Sequence, residues 1–99
     1  MTIRVELPAH LRTLAGVKGE LGVQVAGRVT PRTIVDALEE MYPMLRGTIR
    51  EYGSGERRAF LRFFAAGEDW SHRGMDAELP ESVARGEEAL LIIGAVAGG

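Results

Sequence analysis

The 99-residue sequence contains no cysteine. This excludes disulfide bonds, thiolate metal sites, iron–sulfur clusters and thiol nucleophiles from its chemistry. Long apolar runs are also missing, and none approaches the roughly 20 residues that a membrane-spanning helix needs. The opening MTIRVELPAH alternates in polarity and lacks the basic and then apolar order of a signal peptide. These absences predict a soluble, cytoplasmic protein with no membrane partner.

The sequence also has no excess of positive charge. Its formal net charge is −2 at pH 7, so it offers no basic field to a phosphate backbone, and we expect no nucleic-acid partner. The 45% hydrophobic and 26% charged residues are typical of a globular protein. The length suits one domain, which we expect to span residues 1–99.

Alternating apolar residues predict two strands near the start of the chain. TIRVEL, residues 2–7, alternates until Pro8, which should end the strand. ELGVQVAG, residues 20–27, alternates in the same way, so the two strands should form a hairpin. We expect the intervening AHLRTLAGVKG to be a loop anchored by Leu11 and Leu14.

The segment TPRTIVDALEEMYP, residues 30–43, carries the clearest helix signal. Thr30 suits the N-cap, and Pro31 suits the first helical position because an N–H there has no helical partner. The apolar side chains recur at helical spacing: Ile34, Val35, Leu38, Met41 and Tyr42. The acidic side chains should face solvent: Asp36, Glu39 and Glu40. Pro43 should end the helix.

The second half of the chain predicts a short helix and three strands. Leu45, Ile49 and Tyr52 are spaced as in a short helical piece that GSGE would end. RRAFLRFFAAGED predicts an aromatic-rich strand followed, after the turn AGED, by a short edge strand that begins at Asp69–Trp70. SHRGMDAELPESVARGEE should be a loop with one helical turn. ALLIIGAV should lie in mid-sheet because both of its faces are apolar.

This order of elements predicts an α+β domain. A helical crossover from the second strand to the third, with the last strand in the centre, fits a β-grasp (ubiquitin-like) fold. We therefore expect a mixed sheet of four to five strands with one main helix packed on one face.

Several segments, in this order, resemble the ubiquitin-like sulfur-carrier proteins of the MoaD/ThiS group. They are PAHLRTLAG after the first strand, the TPRTIVDALEEMYP helix, GED after the third strand, Gly86–Glu87 before the last strand, and the AVAGG ending. The resemblance runs over nearly the whole chain. It departs from the family at Gly94–Ala95, where members often have proline, and at Ala66, where many have asparagine.

The resemblance implies a non-enzymatic carrier whose reactive group is the carboxylate of Gly99. An E1-like adenylating enzyme would use ATP to make the acyl-adenylate, which sulfur would convert to a thiocarboxylate. The carrier would bind no cofactor of its own. The sulfur acceptor would be a molybdopterin synthase large subunit or a cysteine synthase-like enzyme. Thiamin-thiazole carriers tend to be shorter, so that pathway fits less well.

The composition of the tail suits this chemistry. A free α-carboxylate has a pKa of about 3.3–3.7, so at neutral pH it is an unreactive anion that another enzyme must activate. Because glycine has no Cβ, Gly98 and Gly99 can thread a narrow channel and adopt backbone angles that other residues avoid. We expect the tail, about residues 95–99 and including Ala97, to be flexible and to enter the partner.

Two other functions remain open at this point. The same activated Gly99 could form an isopeptide bond to lysine, which would make the chain a ubiquitin-like protein modifier. Alternatively, the chain could be a β-grasp binding module without tail chemistry.

The outer face of the sheet is a second candidate site. If Leu61 and Phe63 pack on the helix, the opposite face should carry an apolar set around one cation. That set is Phe60, Arg62, Phe64, Leu91 and Ile93. The resemblance implies that this face docks the activating enzyme and the acceptor. Alternatively, the loop SHRGMDAELPES or a second copy of the chain could cover it.

No constellation of residues predicts a catalytic or metal site. His10 and His72 have no third ligand at metal spacing, and GSG at 53–55 lacks the lysine of a phosphate loop. We interpret the remaining polar or aromatic candidates as structural or solvated residues: Ser54, Ser71, Asp76, Glu78, Glu81 and Trp70.

Overall fold

The computed structural model describes residues 1–94, in which five strands form one mixed sheet. The strands are β1 Thr2–Glu6, β2 Leu21–Gln24, β3 Leu61–Ala65, β4 Glu68–Asp69 and β5 Leu90–Gly94. Their order across the sheet is β2-β1-β5-β3-β4. β5 runs parallel to β1, and the other neighbouring strands are antiparallel. This arrangement confirms the β-grasp fold, with the last strand in the centre.

Three helices connect these strands: α1 Ala9–Ala15, α2 Pro31–Met41 and α3 Glu81–Ala84. The main helix α2 begins where the sequence predicts, at a capping box. The backbone N–H of Thr33 donates to the Thr30 hydroxyl at 3.1 Å, and the N–H of Thr30 donates to the Thr33 hydroxyl at 2.9 Å. None of the helices within residues 1–94 has the length and apolar character to cross a membrane.

The core lies between α2 and the inner face of the sheet. The helix contributes Ile34, Val35 and Leu38, and the strands contribute their inward-facing side chains. Those strand residues are Ile3, Val5, Val23, Leu61, Phe63, Ala65, Leu90 and Ile92. Phe63, 2% exposed, is the largest of the fully buried side chains. Because inward and outward residues alternate along β3 and β5, the outer face is defined by the same register.

The segment predicted to be a loop after β1 is helical, so that prediction was wrong. Pro8 is the N-cap of α1, and Gly16 ends the helix with a φ of 73°, in the left-handed region that favours glycine. Leu11 is buried as expected, whereas Leu14 is 47% exposed. A helix of seven residues with one buried side chain leaves no repeat for a sequence pattern to show.

The predictions for the segment after α2 were correct only in part. Pro43–Leu45 form a 3₁₀ turn rather than the start of a longer helix. Leu45 and Ile49 are buried, but Tyr52 is 73% exposed. Met41, which we placed on the buried stripe of α2, is 51% exposed because it lies at the end of the helix.

Glu39 does not face solvent as predicted. Its side chain is only 12% exposed, because Arg50 covers it with a two-pronged ion pair. The guanidinium of Arg50 donates to the two carboxylate oxygens at 2.8 and 3.1 Å. The same guanidinium reaches Asp36 at 2.7 Å, so the segment after α2 is held on the helix.

Gly86 holds the loop before β5 close to β1. Its φ is 76°, and a Cβ at this position would lie 3.1 Å from the backbone oxygen of Thr2. Arg4 of β1 donates to the carbonyl oxygens of Gly86 at 3.2 Å and Glu87 at 2.8 Å. The Gly86–Glu87 pair therefore positions the start of the central strand.

Candidate partner-docking face

The antiparallel register of β3 and β5 places four of the five predicted face residues together. Arg62 lies opposite Ile93, and Phe64 lies opposite Leu91. Ile93 is 40% exposed, and the other three are half-buried. We call these four residues the outer-face patch.

Phe60, the fifth predicted residue, lies before the strand. The prediction that β3 begins near Arg57 was wrong, because the Leu61 N–H donates to the Arg58 carbonyl at 3.0 Å and closes a turn there. Phe60 is 68% exposed. Its neighbour Leu61 pairs with Gly94, so Phe60 lies at the end of the sheet where β5 finishes.

The long loop after β4 does not cover the outer-face patch. The N–H of Leu79 donates to the Val29 carbonyl at 2.9 Å, and the Arg32 N–H donates to the Met75 carbonyl at 2.8 Å. These bonds hold the loop beside the start of α2, on the helix side of the sheet, where Met75 and Leu79 join the core. Within residues 1–94, the patch is therefore open to a partner.

The cation of the patch is neutralised inside the chain. Arg62 donates to one carboxylate oxygen of Asp69 at 3.0 Å, and the N–H of Ser71 donates to the other at 2.8 Å. The Ser71 hydroxyl, which accepts the Phe63 N–H at 2.9 Å, is the main cause that lowers the pKa of Asp69 from 3.8 to about 2. The Ser71 N–H and Arg62 lower this pKa further. The patch therefore presents mainly apolar surface.

This network predicts an acid-dependent contribution to stability. A carboxylate whose pKa is depressed by folding stabilises the folded state above its unfolded pKa of about 4, and this contribution disappears as the pH falls towards 2. The Tm difference between the parent and Asp69→Asn should therefore be largest near pH 5 and shrink as the pH is lowered from about 4 to about 2. Thermal unfolding followed by circular dichroism across this range measures it.

A second variant tests the contribution of the Ser71 hydroxyl to the lowered pKa of Asp69. Ser71→Ala keeps Asp69 but removes the hydroxyl that contributes most to its lowered pKa, so the acid-induced loss of stability should be smaller than in the parent and complete at a higher pH. A Tm difference between Asp69→Asn and the parent that does not depend on pH would contradict this account of the network.

A groove of about 560 Å³ lies beside the patch, between the start of α1 and the end of β5. Its lining includes Glu6, His10, Arg12, Ile93 and Gly94. Arg12 is held in place by its donation to the Leu7 carbonyl at 2.7 Å. The sequence did not reveal this groove because we interpreted its α1 wall as a loop, although the PAHLRTLAG motif marks the same residues.

The acidic residues of the long loop and Trp70 have surface or packing roles. The loop carboxylates are largely exposed, as predicted, and each also forms a surface ion pair: Asp76 with Arg32, Glu78 with Arg28, and Glu81 with Arg85. Trp70 packs against the core, and the Arg73 guanidinium lies 4.0 Å from the centre of its ring.

Among residues 1–94 the structure shows no metal site, and these residues do not include the tail. Residues 1–94 contain no cluster of three or more His, Asp or Glu side chains suited to a metal ion. The tail residues Ala97, Gly98 and Gly99 lie outside the described part of the chain.

Comparison with solved structures identifies similar folds. SAMP1 from Haloferax volcanii has a TM-score of 0.73 and 27% sequence identity, with all of both chains covered. The CysO chain of the Amycolatopsis orientalis BexX/CysO complex has a TM-score of 0.72 and 25% identity, covering 97% of this chain and 98% of that one. No protein-family model and no curated protein sequence matches the chain.

A third structure extends this likeness at the level of fold. Small archaeal modifier protein 1 (SAMP1) from Methanosarcina acetivorans has a TM-score of 0.68 and 23% identity, covering 100% of this chain and 99% of that one. The neighbours are ubiquitin-like sulfur-carrier and modifier proteins of the β-grasp fold. The resemblance noted in the sequence is thereby confirmed.

Proposed function

We propose that this ubiquitin-like β-grasp protein is a sulfur carrier. In this proposal an E1-like enzyme adenylates the carboxylate of Gly99 with ATP in the cytoplasm, and sulfur replaces the adenylate to give a thiocarboxylate. The carrier then donates this sulfur to a biosynthetic enzyme of molybdopterin or cysteine synthesis. The chain itself supplies the carbonyl group and the docking surface, and its partners supply the catalytic residues.

The observation that carries the proposal is the full-length likeness to CysO and SAMP1, combined with a tail of two glycines. The likeness to CysO covers 97% of the chain, and the likeness to SAMP1 from Haloferax volcanii covers all of it. That neighbour is itself in a complex, with BexX, which supports a function that depends on binding another protein. Gly98 and Gly99 supply the unhindered carbonyl that activation needs.

The outer-face patch and the adjoining groove suit the docking step. The patch ends at Ile93, one residue before Gly94, where β5 finishes. A partner that binds the patch is therefore held next to the point from which the tail continues. Binding energy from the patch would raise the effective concentration of the tail at the partner's catalytic residues.

Intact-mass measurement tests the carrier proposal. Residues 1–99 are incubated with the adenylating enzyme, ATP and a sulfide or persulfide source. We expect a mass gain equal to one sulfur minus one oxygen, located by fragmentation to Gly99 and dependent on ATP. An enzyme that is active on another carrier but leaves this chain unchanged would count against the proposal.

A protein modifier is the second candidate function, and the name of the SAMP1 neighbours favours it. Up to the adenylate the two functions share their chemistry, and they differ in the acceptor. A modifier should give ATP-dependent adducts on lysines of other proteins, visible as higher-mass bands that carry the tail peptide. A carrier should give the thiocarboxylate without such bands.

The docking step makes a prediction of its own. Ile93→Asp places a charge at the most exposed residue of the outer-face patch and should weaken binding to the adenylating enzyme at least tenfold, because a buried apolar contact becomes a desolvated charge. Met44→Asp is the matched control, since Met44 is 48% exposed and lies in the 3₁₀ turn after α2. Isothermal titration calorimetry gives both Kd values.

Unfolding curves of both variants must match the parent for this comparison to be valid. Equal affinities of Ile93→Asp and Met44→Asp would show that the partner binds elsewhere.

A further inference from the structure

The cations of this chain are almost all of one type. Its twelve lysine and arginine residues include a single lysine, Lys18, and eleven arginines. Both side chains carry positive charge at neutral pH, but only lysine releases a free amine, because the arginine guanidinium stays protonated in proteins. The chain therefore carries most of its positive charge without offering nucleophilic amines.

This composition matters if Gly99 is activated, and the inference rests on the proposed function to that extent. An acyl-adenylate or thioester carbonyl is an electrophile that a free amine attacks to form a stable amide. An amide at Gly99 would remove that carrier from use. A chain that carries its own activated carbonyl is exposed to attack by its own amines.

Ion-pair geometry explains only some of the arginines. Three of them use the planar fork that lysine lacks: Arg4 with Glu20, Arg32 with Asp76 and Arg50 with Glu39. Others make a single contact with a carboxylate that a lysine could also make: Arg28 with Glu78, Arg62 with Asp69 and Arg85 with Glu81. At those positions the geometry of the ion pair does not require arginine.

Lys18 lies at the end of the molecule from which the tail continues. It is exposed in the loop between α1 and β2, and β2 begins with Leu21 opposite Val5. Since β5 is parallel to β1, Gly94 lies at this same end of the sheet. Lys18 takes part in none of the ion pairs among residues 1–94.

The other amine of residues 1–99 is the α-amine of Met1, which lies at the far end of the sheet from Lys18. Met1 precedes β1 and therefore lies at the opposite end of the sheet from Gly94. Its amine faces the Val25 carbonyl at 3.5 Å in a partly buried position. Both residues are exposed, but of the two amines only Lys18 lies at the end of the sheet where β5 finishes.

We propose that Lys18 is the residue of this chain that an activated Gly99 acylates. The Lys18 amine bonds to the Gly99 carbonyl carbon, and the bond from that carbon to the adenylate oxygen breaks. AMP leaves with the electron pair, and the amine proton passes to solvent. Because the other eleven basic residues are arginines, Lys18 is the one side-chain amine among residues 1–99 that this side reaction can use.

A chemically activated chain tests the inference without any partner enzyme. Residues 1–99 fused to an intein and released with a thiol carry a thioester at Gly99, whose leaving group is a thiolate in place of AMP. The parent and Lys18→Arg are incubated at pH 8.5 and digested with trypsin. Because Arg85 is the last basic residue, an acylated Lys18 should carry the peptide of residues 86–99.

We expect this adduct on Lys18 in the parent and at least tenfold less acylated product in Lys18→Arg. Hydroxylamine should consume both thioesters equally, which shows that the two chains are equally activated. Equal total acylation in Lys18→Arg, an adduct mainly on Met1, or no adduct in the parent would each overturn the inference. The carrier proposal fails separately, in the enzymatic mass measurement.

Discussion

Leucine in place of Gly98 is expected to lower the yield of Gly99 thiocarboxylate by roughly 100-fold. Forcing a side chain into a closely packed site costs about 1–3 kcal/mol, and each 1.4 kcal/mol is a factor of ten. The Cβ also removes backbone angles that glycine adopts without strain. The measurement is the intact mass of the variant after incubation with enzyme, ATP and sulfur source, as a function of time.

Val96→Leu is the matched control for this variant, because position 96 already carries a branched side chain. It should form the thiocarboxylate at nearly the parent's rate. If Gly98→Leu does so as well, the tail does not enter a narrow channel, and the reason offered for the two glycines is wrong.

Replacing Phe63 by alanine is expected to lower the free energy of unfolding by about 3–5 kcal/mol. Phe63 is 2% exposed between α2 and the sheet, so its removal leaves a cavity that the surrounding strands cannot fill. Domains of this size are stable by roughly 5–15 kcal/mol, and the variant should therefore unfold at much lower urea concentration. Urea unfolding followed by circular dichroism measures the change.

Phe60→Ala is the control, since it removes the same side chain from a position that is 68% exposed. Its free energy of unfolding should stay within about 0.5 kcal/mol of the parent's. Similar losses in the two variants would mean that the inner and outer faces of the sheet were assigned wrongly.

The elements with a clear repeat could be predicted from the sequence. Burying one face of a strand or helix imposes a period of 2 or 3.6 on its side chains, and TIRVEL and the Ile34–Leu38 stripe show these periods directly. The double-sided apolar character of ALLIIGAV placed β5 in the sheet centre, and the structure confirms it. The outer-face patch was predictable for the same reason, since it follows from alternation along β3 and β5.

Features that depend on distant segments could not be predicted in this way. The burial of Glu39 follows from Arg50, eleven positions along the chain, which the fold brings over it. The groove beside the patch depends on α1, a helix of seven residues that buries only Leu11 and is therefore too short to show a period.

Local chemistry alone therefore determines the strands and the helix that carry a clear apolar repeat, and which sheet faces are apolar. The tertiary structure decides which surfaces stay open and which charges are cancelled. Burial of Leu79 and Met75 in the core holds the long loop on the helix side of the sheet. The carboxylate of Asp69 accepts a hydrogen bond from the Arg62 guanidinium at 3.0 Å and cancels its charge. Burial and hydrogen bonding depend on short distances between remote residues, and only packing of the whole chain sets those distances.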